Sequence, residues 1–212
     1  MYTPKREGLK KWRGWGASAW QKGKFLTPKR GTSAGVDERK SRPIMPRMIA
    51  IGDQLPDATL WESTGFGEAC PLPPAPVSVR EASQGKRIVI FGLPGAYTPT
   101  CSGKHLPGYL QQLDALKARG VDEVWCVSVN DGYVMAAWGK EQGASGKIRM
   151  LGDGNADFAR KLGLENDVSK GGMGLRCKRF SLLVDEGVVK QVNVEAPGKF
   201  EVSDVDTILK QV

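Results

Sequence analysis

Four cysteines and a single histidine are the residues of this 212-residue chain best suited to covalent chemistry. Cys70, Cys101, Cys126 and Cys177 stand 31, 25 and 51 residues apart with no C-x-x-C pair, so the close-spaced ligands of a structural zinc site are missing and no metal is expected. Of the four, Cys101 has the setting of a nucleophile. A short apolar run, residues 87–91, enters a Pro/Gly-rich break at 92–99, and the break delivers Cys101 to the start of a helical pattern. At a helix start the unpaired N–H groups and the macrodipole favour negative charge, and the thiolate is the reactive form of cysteine. His105, the single histidine, lies four residues after Cys101. That pair raises a Cys–His hydrolase, but a nucleophile and base four apart on one helix point side by side, whereas protease pairs come from different elements. His105 therefore reads as a surface, interface or pocket-wall residue with some scope to tune Cys101.

The elements that must position these residues follow from periodicity and punctuation. Residues 49–61 read as a short strand and turn, and 62–79 as a Pro/Gly-punctuated loop without regular structure. Beyond the 87–91 strand, Leu106, Tyr109, Leu110, Leu113 and Leu116 line one face of a helix that stops at Gly120. Strands are expected at 124–129 and 148–151, and helices at 134–141 and at 157–162, the latter ended by Gly163. Residues 180–184 and 188–194 flank Asp185-Glu186-Gly187 as a hairpin. A last helix, 203–211, opens on Ser203 with Asp206 three residues on, close to a capping box. Alternating strands and helices imply an α/β domain with parallel pairs, to which the hairpin adds antiparallel ones.

The stretch Pro94-x-x-x-Thr98-x-x-Cys101, inside PGAYTPTCS-x-x-HLPGY, resembles the active-site motif of the peroxiredoxins, in the form carried by their type II branch. Similarity continues through Trp125–Asp131 (WCVSVND), Ala137–Lys140 (AWGK) and Lys178–Lys190 (KRFSLLVDEGVVK), and spans roughly residues 49–212. The resemblance implies a thioredoxin-like fold, a central mixed β-sheet flanked by helices, and a thiol peroxidase acting on hydrogen peroxide and alkyl hydroperoxides without a cofactor. By position, Pro94 would cover the Cys101 thiolate, the Thr98 hydroxyl would bond peroxide and sulfur, and Arg179 would hold both. Arginine suits that task because its charge persists at every physiological pH and its planar fork presents several donors. Each residue also has a plainer reading: Cys101 as a small buried hydrophobe, Pro94 as a turn former, Thr98 as a helix cap, Arg179 as a surface charge with Arg176 and Lys178 beside it. Trp138 resembles a position near the family's active site, though core packing explains it more simply.

Attack on a peroxide leaves a sulfenic acid that must meet a second thiol. Cys126 is the internal candidate for the resolving cysteine, because plant type II members carry a cysteine at the corresponding place. A disulfide needs Cα atoms within about 7 Å, however, and a cysteine in mid-strand reaches that only by local unfolding. The alternative is Cys126 as core filler, with glutathione, glutaredoxin or thioredoxin acting directly. The C-terminal resolving position of animal members is excluded, since residues 198–203 contain no cysteine. Cys177, just before Arg179, has no firm role, and Cys70, in the Pro-rich loop, reads as incidental.

Charge divides the chain at residue 48. Residues 1–48 hold 13 Lys or Arg against 3 acids; of totals of 31 and 23, the remainder has 18 basic and 20 acidic groups. The formal +8 therefore belongs to an N-terminal extension, and residues 49–212, the expected domain, offer no basic field for nucleic acid. The extension reads as an organellar transit segment, mitochondrial before chloroplastic, with the cytoplasm as the alternative if it is no signal. Retained, its Lys, Arg and Trp content would suit docking on RNA or a large assembly. No run approaches the ~20 apolar residues of a membrane span. Three classes of function stand: a peroxidase, a redox-sensing or chaperone-like member, and a structural subunit of an assembly. A homodimer is expected by resemblance.

Overall fold

Residues 47–212 are described by the computed structural model; the expected extension, except Arg47 and Met48, lies outside the described residues. The chain enters the core at Ile49, whose N–H donates to the Leu162 carbonyl at 2.8 Å. Seven strands form one sheet: β1 (Thr59–Glu62), β2 (Ala75–Ser78), β3 (Arg87–Gly92), β4 (Glu123–Ser128), β5 (Arg149–Gly152), β8 (Phe180–Asp185) and β9 (Val188–Val194), in the order β2-β1-β5-β4-β3-β8-β9. The central pairs β3–β4 and β4–β5 are parallel; β1–β2, β1–β5, β3–β8 and β8–β9 are antiparallel. The mixed α/β expectation thus holds, and the hairpin turns at Glu186 and Gly187, both at positive φ (50° and 80°).

Period-two alternation sorts the sheet residues onto two buried faces. Ile88, Ile90, Trp125, Val127 and Leu182 pack on one side with Phe158 and Ala159 of α5 (Asp157–Lys161). Val89, Phe91, Val124, Cys126 and Leu183 pack on the other with Leu106 and Tyr109 of α2 (Leu106–Gln111), Leu113 and Leu116 of α3 (Leu113–Ala118), Trp138 of α4 (Gly132–Glu141) and Ile208 of α6 (Val205–Leu209). Covered on both faces, the sheet holds its strand ends rigid. The site grows from the C-terminal end of β3 on the second face, where ligand sites of parallel sheets gather.

Four local expectations are corrected. The 62–79 segment is not all loop: β2 pairs with β1 in register Leu60↔Val77, and α1 (Val79–Ser83) follows, capped by the Ser78 side chain. Pro76 is tolerated because β2 is the sheet's edge and needs no second ladder. The helix after Cys101 is three pieces, a π-helical turn Cys101–His105, then α2, then α3, broken at Gln112. The last helix begins at Val205, not Ser203, and Asp204 is its cap, accepting from Thr207 N–H at 3.0 Å. Two short strands, β6 (Glu165–Asp167) and β7 (Leu175–Cys177), form a separate antiparallel pair that the sequence reading lacked. Among the described residues no helix is long and apolar enough to cross a membrane.

Candidate active site

Glycine at the end of β3 starts the site. Gly92 pairs with Phe180, and a Cβ there would stand 2.0 Å from the phenyl ring, so only glycine lets the two strands pass this closely. The turn that follows is tied down by its neighbours. The Asn130 side chain accepts from Ala96 N–H at 3.0 Å, and the Thr98 hydroxyl donates to the Gly95 carbonyl at 2.9 Å. Arg176 donates to the carbonyls of Met173 (2.8 Å) and Val129 (3.2 Å) and reaches that of Pro94 at 3.5 Å. Of the neighbouring cations, then, Arg176 braces the Pro94 turn and Arg179 goes to the sulfur.

Arg179, next to the first residue of β8, spans two side chains of the π-turn. Its Nη2 donates to Cys101 Sγ at 3.4 Å and its Nη1 meets His105 Nδ1 at 3.0 Å. Guanidinium has only donors, so Nδ1 must be the accepting nitrogen. The ring proton therefore sits on Nε2 and is donated to the Ser203 carbonyl at 3.1 Å. Burial and the Arg179 charge hold His105 down to about 3, which keeps the ring neutral and able to accept. His105 is 1% exposed, so of the surface, interface and pocket-wall readings the structure bears out the pocket wall. Tyr109 also donates to the Ser203 carbonyl, at 2.9 Å, and stacks on Phe91 with centroids 4.1 Å apart; Phe200 covers His105 and receives Arg179 over its ring at 5.6 Å.

The Ser203 carbonyl is itself held. Glu195 Oε1 accepts from the N–H groups of Glu201, Val202 and Ser203, each at 2.8 Å, and from the Ser203 hydroxyl at 2.9 Å. Burial alone would raise the Glu195 carboxyl, but those donors outweigh it and keep it below the usual carboxylate range. A chain of contacts thus runs from Glu195 through the 201–203 turn and His105 to Arg179 and Cys101. Sequence reasoning missed Glu195, Asn130 and Arg176 because they act on backbone; for His105 the only signal was its spacing from Cys101.

Cys101 is fully buried, and the four cysteines are unpaired. Cys126 lies in mid-strand, in register between Phe91 and Met150, in the same cluster as Cys101. Burial pushes its thiol well up, and the sulfurs of Cys101 and Cys177 add to this. Cys177 donates its thiol to the Leu93 carbonyl at 3.0 Å, and burial pushes it up to about 12. Cys70 is exposed, away from this cluster. Trp138 is both core and neighbour, fully buried with Nε1 donating to Ser102 Oγ at 3.1 Å.

A buried thiol beside a guanidinium held at 3.4 Å can attack an electrophilic atom while the arginine stabilises charge on sulfur and on the departing atom. A family model described as Redoxin matches residues 50–209. Peroxiredoxin-2B of Arabidopsis thaliana is 45% identical over 162 residues, 76% of this chain and 97% of that protein. Peroxiredoxin-2F, mitochondrial, of the same plant is 42% identical over 77% of this chain and 79% of its own length. Among solved structures, reduced Prx3 from Vibrio vulnificus in complex with hydrogen peroxide superposes with a TM-score of 0.70 at 48% identity, covering 77% of this chain and 98% of that one.

Proposed function

Because the chain belongs to the peroxiredoxin family and is a thiol-dependent peroxidase, we propose that Cys101 is the peroxidatic nucleophile, with Arg179, Thr98 and Pro94 as its partners. The observation that carries this is the Arg179 fork, one nitrogen on Cys101 Sγ and the other on neutral His105. In the proposed step the Cys101 thiolate attacks one peroxide oxygen, an S–O bond forms as the O–O bond breaks, and the departing alkoxide or hydroxide takes a proton. Arg179 donates to the sulfur and to the charge developing along S–O–O. The Thr98 hydroxyl, its proton given to Gly95, presents lone pairs that accept the peroxide proton and orient the substrate. Pro94 keeps bulk water from the thiolate. His105 and Glu195 are positioning residues for Arg179.

Resolution of the sulfenic acid is assigned to an external thiol, glutathione, glutaredoxin or thioredoxin, ahead of Cys126. For Cys126 to act, β4 must leave its register with β3 and β5, and burial keeps its thiol protonated. Relatives include chloroplastic and mitochondrial proteins. With its 13 basic and 3 acidic residues, the 1–48 extension supports an organellar transit segment, the mitochondrion placed before the chloroplast. Residues 49–212 then form the mature domain, working as a homodimer. N-terminal sequencing of the native protein tests the boundary: a start near residue 48 fits, whereas retention of the arm favours docking on an assembly or RNA.

The site itself is tested by stopped-flow oxidation of the reduced protein with hydrogen peroxide. Cys101→Ser should abolish the reaction, and Arg179→Lys, which keeps charge but loses the fork, should lower the second-order constant by about 100-fold. An Arg179→Lys rate within about threefold of wild type would remove Arg179 from the mechanism.

A further inference from the structure

Beside the covered sulfur lies a second cavity, of ≈ 320 Å³, whose walls include Pro94, Asn166, Lys178, Arg179, Glu195 and Lys199. Neither Cys101 nor Thr98 lines it. It shares Pro94 and Arg179 with the peroxide site, and Thr100, the residue before Cys101, also lines it. A molecule seated there would lie against Arg179, whose Nη2 is 3.4 Å from the Cys101 sulfur.

Its charge is unbalanced. Three cations face one carboxylate, and one oxygen of that carboxylate, Glu195 Oε1, already accepts four hydrogen bonds from the 201–203 turn. Among the described residues Lys178 forms no ion pair, and Lys199 has only an exposed contact with Glu201 at 3.0 Å, of a kind that holds a side chain weakly. The cavity therefore attracts anions. The internal thiols, meanwhile, are badly placed to reach Cys101: Cys126 and Cys177 are buried and held protonated, and Cys70 is elsewhere.

Resting on the reading of Cys101 as the peroxidatic cysteine, we propose that this cavity is the docking subsite for the resolving thiol, and that it selects thiols carrying carboxylates through Lys178 and Lys199. The thiolate of the docked molecule attacks the Cys101 sulfenic sulfur, an S–S bond forms as the S–O bond breaks, and hydroxide leaves as water after taking a proton. A second thiol then displaces Cys101 from the mixed disulfide, returning Cys101 as a thiol and releasing the oxidised disulfide of the reductant. The electrons come entirely from the two external thiols.

The test is a charge series of small thiols on the full chain carrying Cys126→Ser, so that no internal disulfide competes. The protein is oxidised with one equivalent of hydrogen peroxide and mixed with mercaptosuccinate, 3-mercaptopropionate, 2-mercaptoethanol or cysteamine. Mixed-disulfide formation is followed by intact mass, with each rate corrected for the thiolate fraction. The rates should fall in that order, with about a tenfold advantage of mercaptosuccinate over 2-mercaptoethanol at low salt. In Lys178→Gln/Lys199→Gln that advantage should shrink to about twofold or less, while oxidation by hydrogen peroxide stays as in the parent. A flat series in the parent, or an advantage that survives the double substitution, overturns the subsite. Failure of hydrogen peroxide to oxidise Cys101 at all is seen before any thiol is added, and it removes the premise and the subsite with it.

Discussion

Acid should weaken this fold through His105. The ring is buried between Arg179, the Ser203 carbonyl, Phe91 and Phe200, and burial together with the Arg179 charge lowers it from 6.5 to about 3, against smaller opposing effects of the Ser203 carbonyl, Glu195 and Asp204. The unfolded chain binds this proton near pH 6.5 and the folded chain does not bind it until about pH 3. The histidine's contribution to stability is therefore complete above about 6.5 and is lost progressively as pH falls towards 3. One pKa unit corresponds to about 1.4 kcal/mol, so moving from about pH 7 to about pH 4.5 should remove about 2.5 kcal/mol through this residue alone. The assay is urea unfolding at the two pH values for wild type and His105→Gln, whose amide can accept and donate but does not titrate. Carboxylates contribute to both proteins and cancel in the difference. Wild type should lose about 2.5 kcal/mol more than the variant, a large part of the ~5–15 kcal/mol typical of a domain. Equal losses would refute the neutral, buried imidazole, and with it the assignment of Nδ1 as the acceptor for Arg179.

Two further substitutions probe the supports of the site. Arg176→Met removes the donors to the Met173, Val129 and Pro94 carbonyls while leaving Arg179 in place; the peroxide rate constant should fall about tenfold with a melting shift of only a few degrees, read by stopped-flow and calorimetry. Gly152→Ala would put a Cβ 2.7 Å from the backbone at Asn130, Asp131 and Gly132, where no side chain can yield. It should cost about 2–3 kcal/mol in urea unfolding and lower activity as well, because Asn130 anchors Ala96 in the Pro94 turn.

The parts of the fold legible in the sequence were those where a single periodicity decides the structure. The β-branched run of β3, the apolar face of α2 and α3 and the hairpin at Asp185-Glu186-Gly187 each follow from local chemistry. Gly120 and Gly163 stop their helices at positive φ (82° and 65°), as expected. The misses share a different cause. β2 carries Pro76 yet pairs, because only its partner β1 decides whether an edge strand forms. β6 and β7 are three residues each, too short for alternation to register. Asp204 is the cap, its carboxylate accepting from both the N–H and the hydroxyl of Thr207, while the Ser203 hydroxyl is turned to Glu195, sequence-distant but adjacent in space. In the site, Cys101 stood out through the motif, and Arg179, which the structure brings to its sulfur, through the resemblance, whereas Glu195, Asn130 and Arg176 bond mainly to main chain and leave no side-chain pattern to read.

His105 takes the pocket-wall place among its expected readings, and the helix type shapes how it does so. On an α-helix, residues four apart already share a face, which sets the histidine beside the nucleophile. The turn is π-helical: Leu106 N–H bonds to the Cys101 carbonyl, five residues back, which widens the turn and brings residues four apart more nearly into line. Pro107 supplies a local reason, since it has no N–H to continue the i→i−4 ladder at the next step. Cys101 and His105 are thereby stacked towards the sheet, both buried, and a single planar guanidinium arriving from the start of β8 can donate to each. Arg179 cannot rotate towards one partner without leaving the other. Its position against the sulfur is thus set by a neutral imidazole, and the imidazole in turn by the Ser203 carbonyl. A π-helical turn, at the place where the proline removes a donor, holds the buried histidine where it aims the arginine.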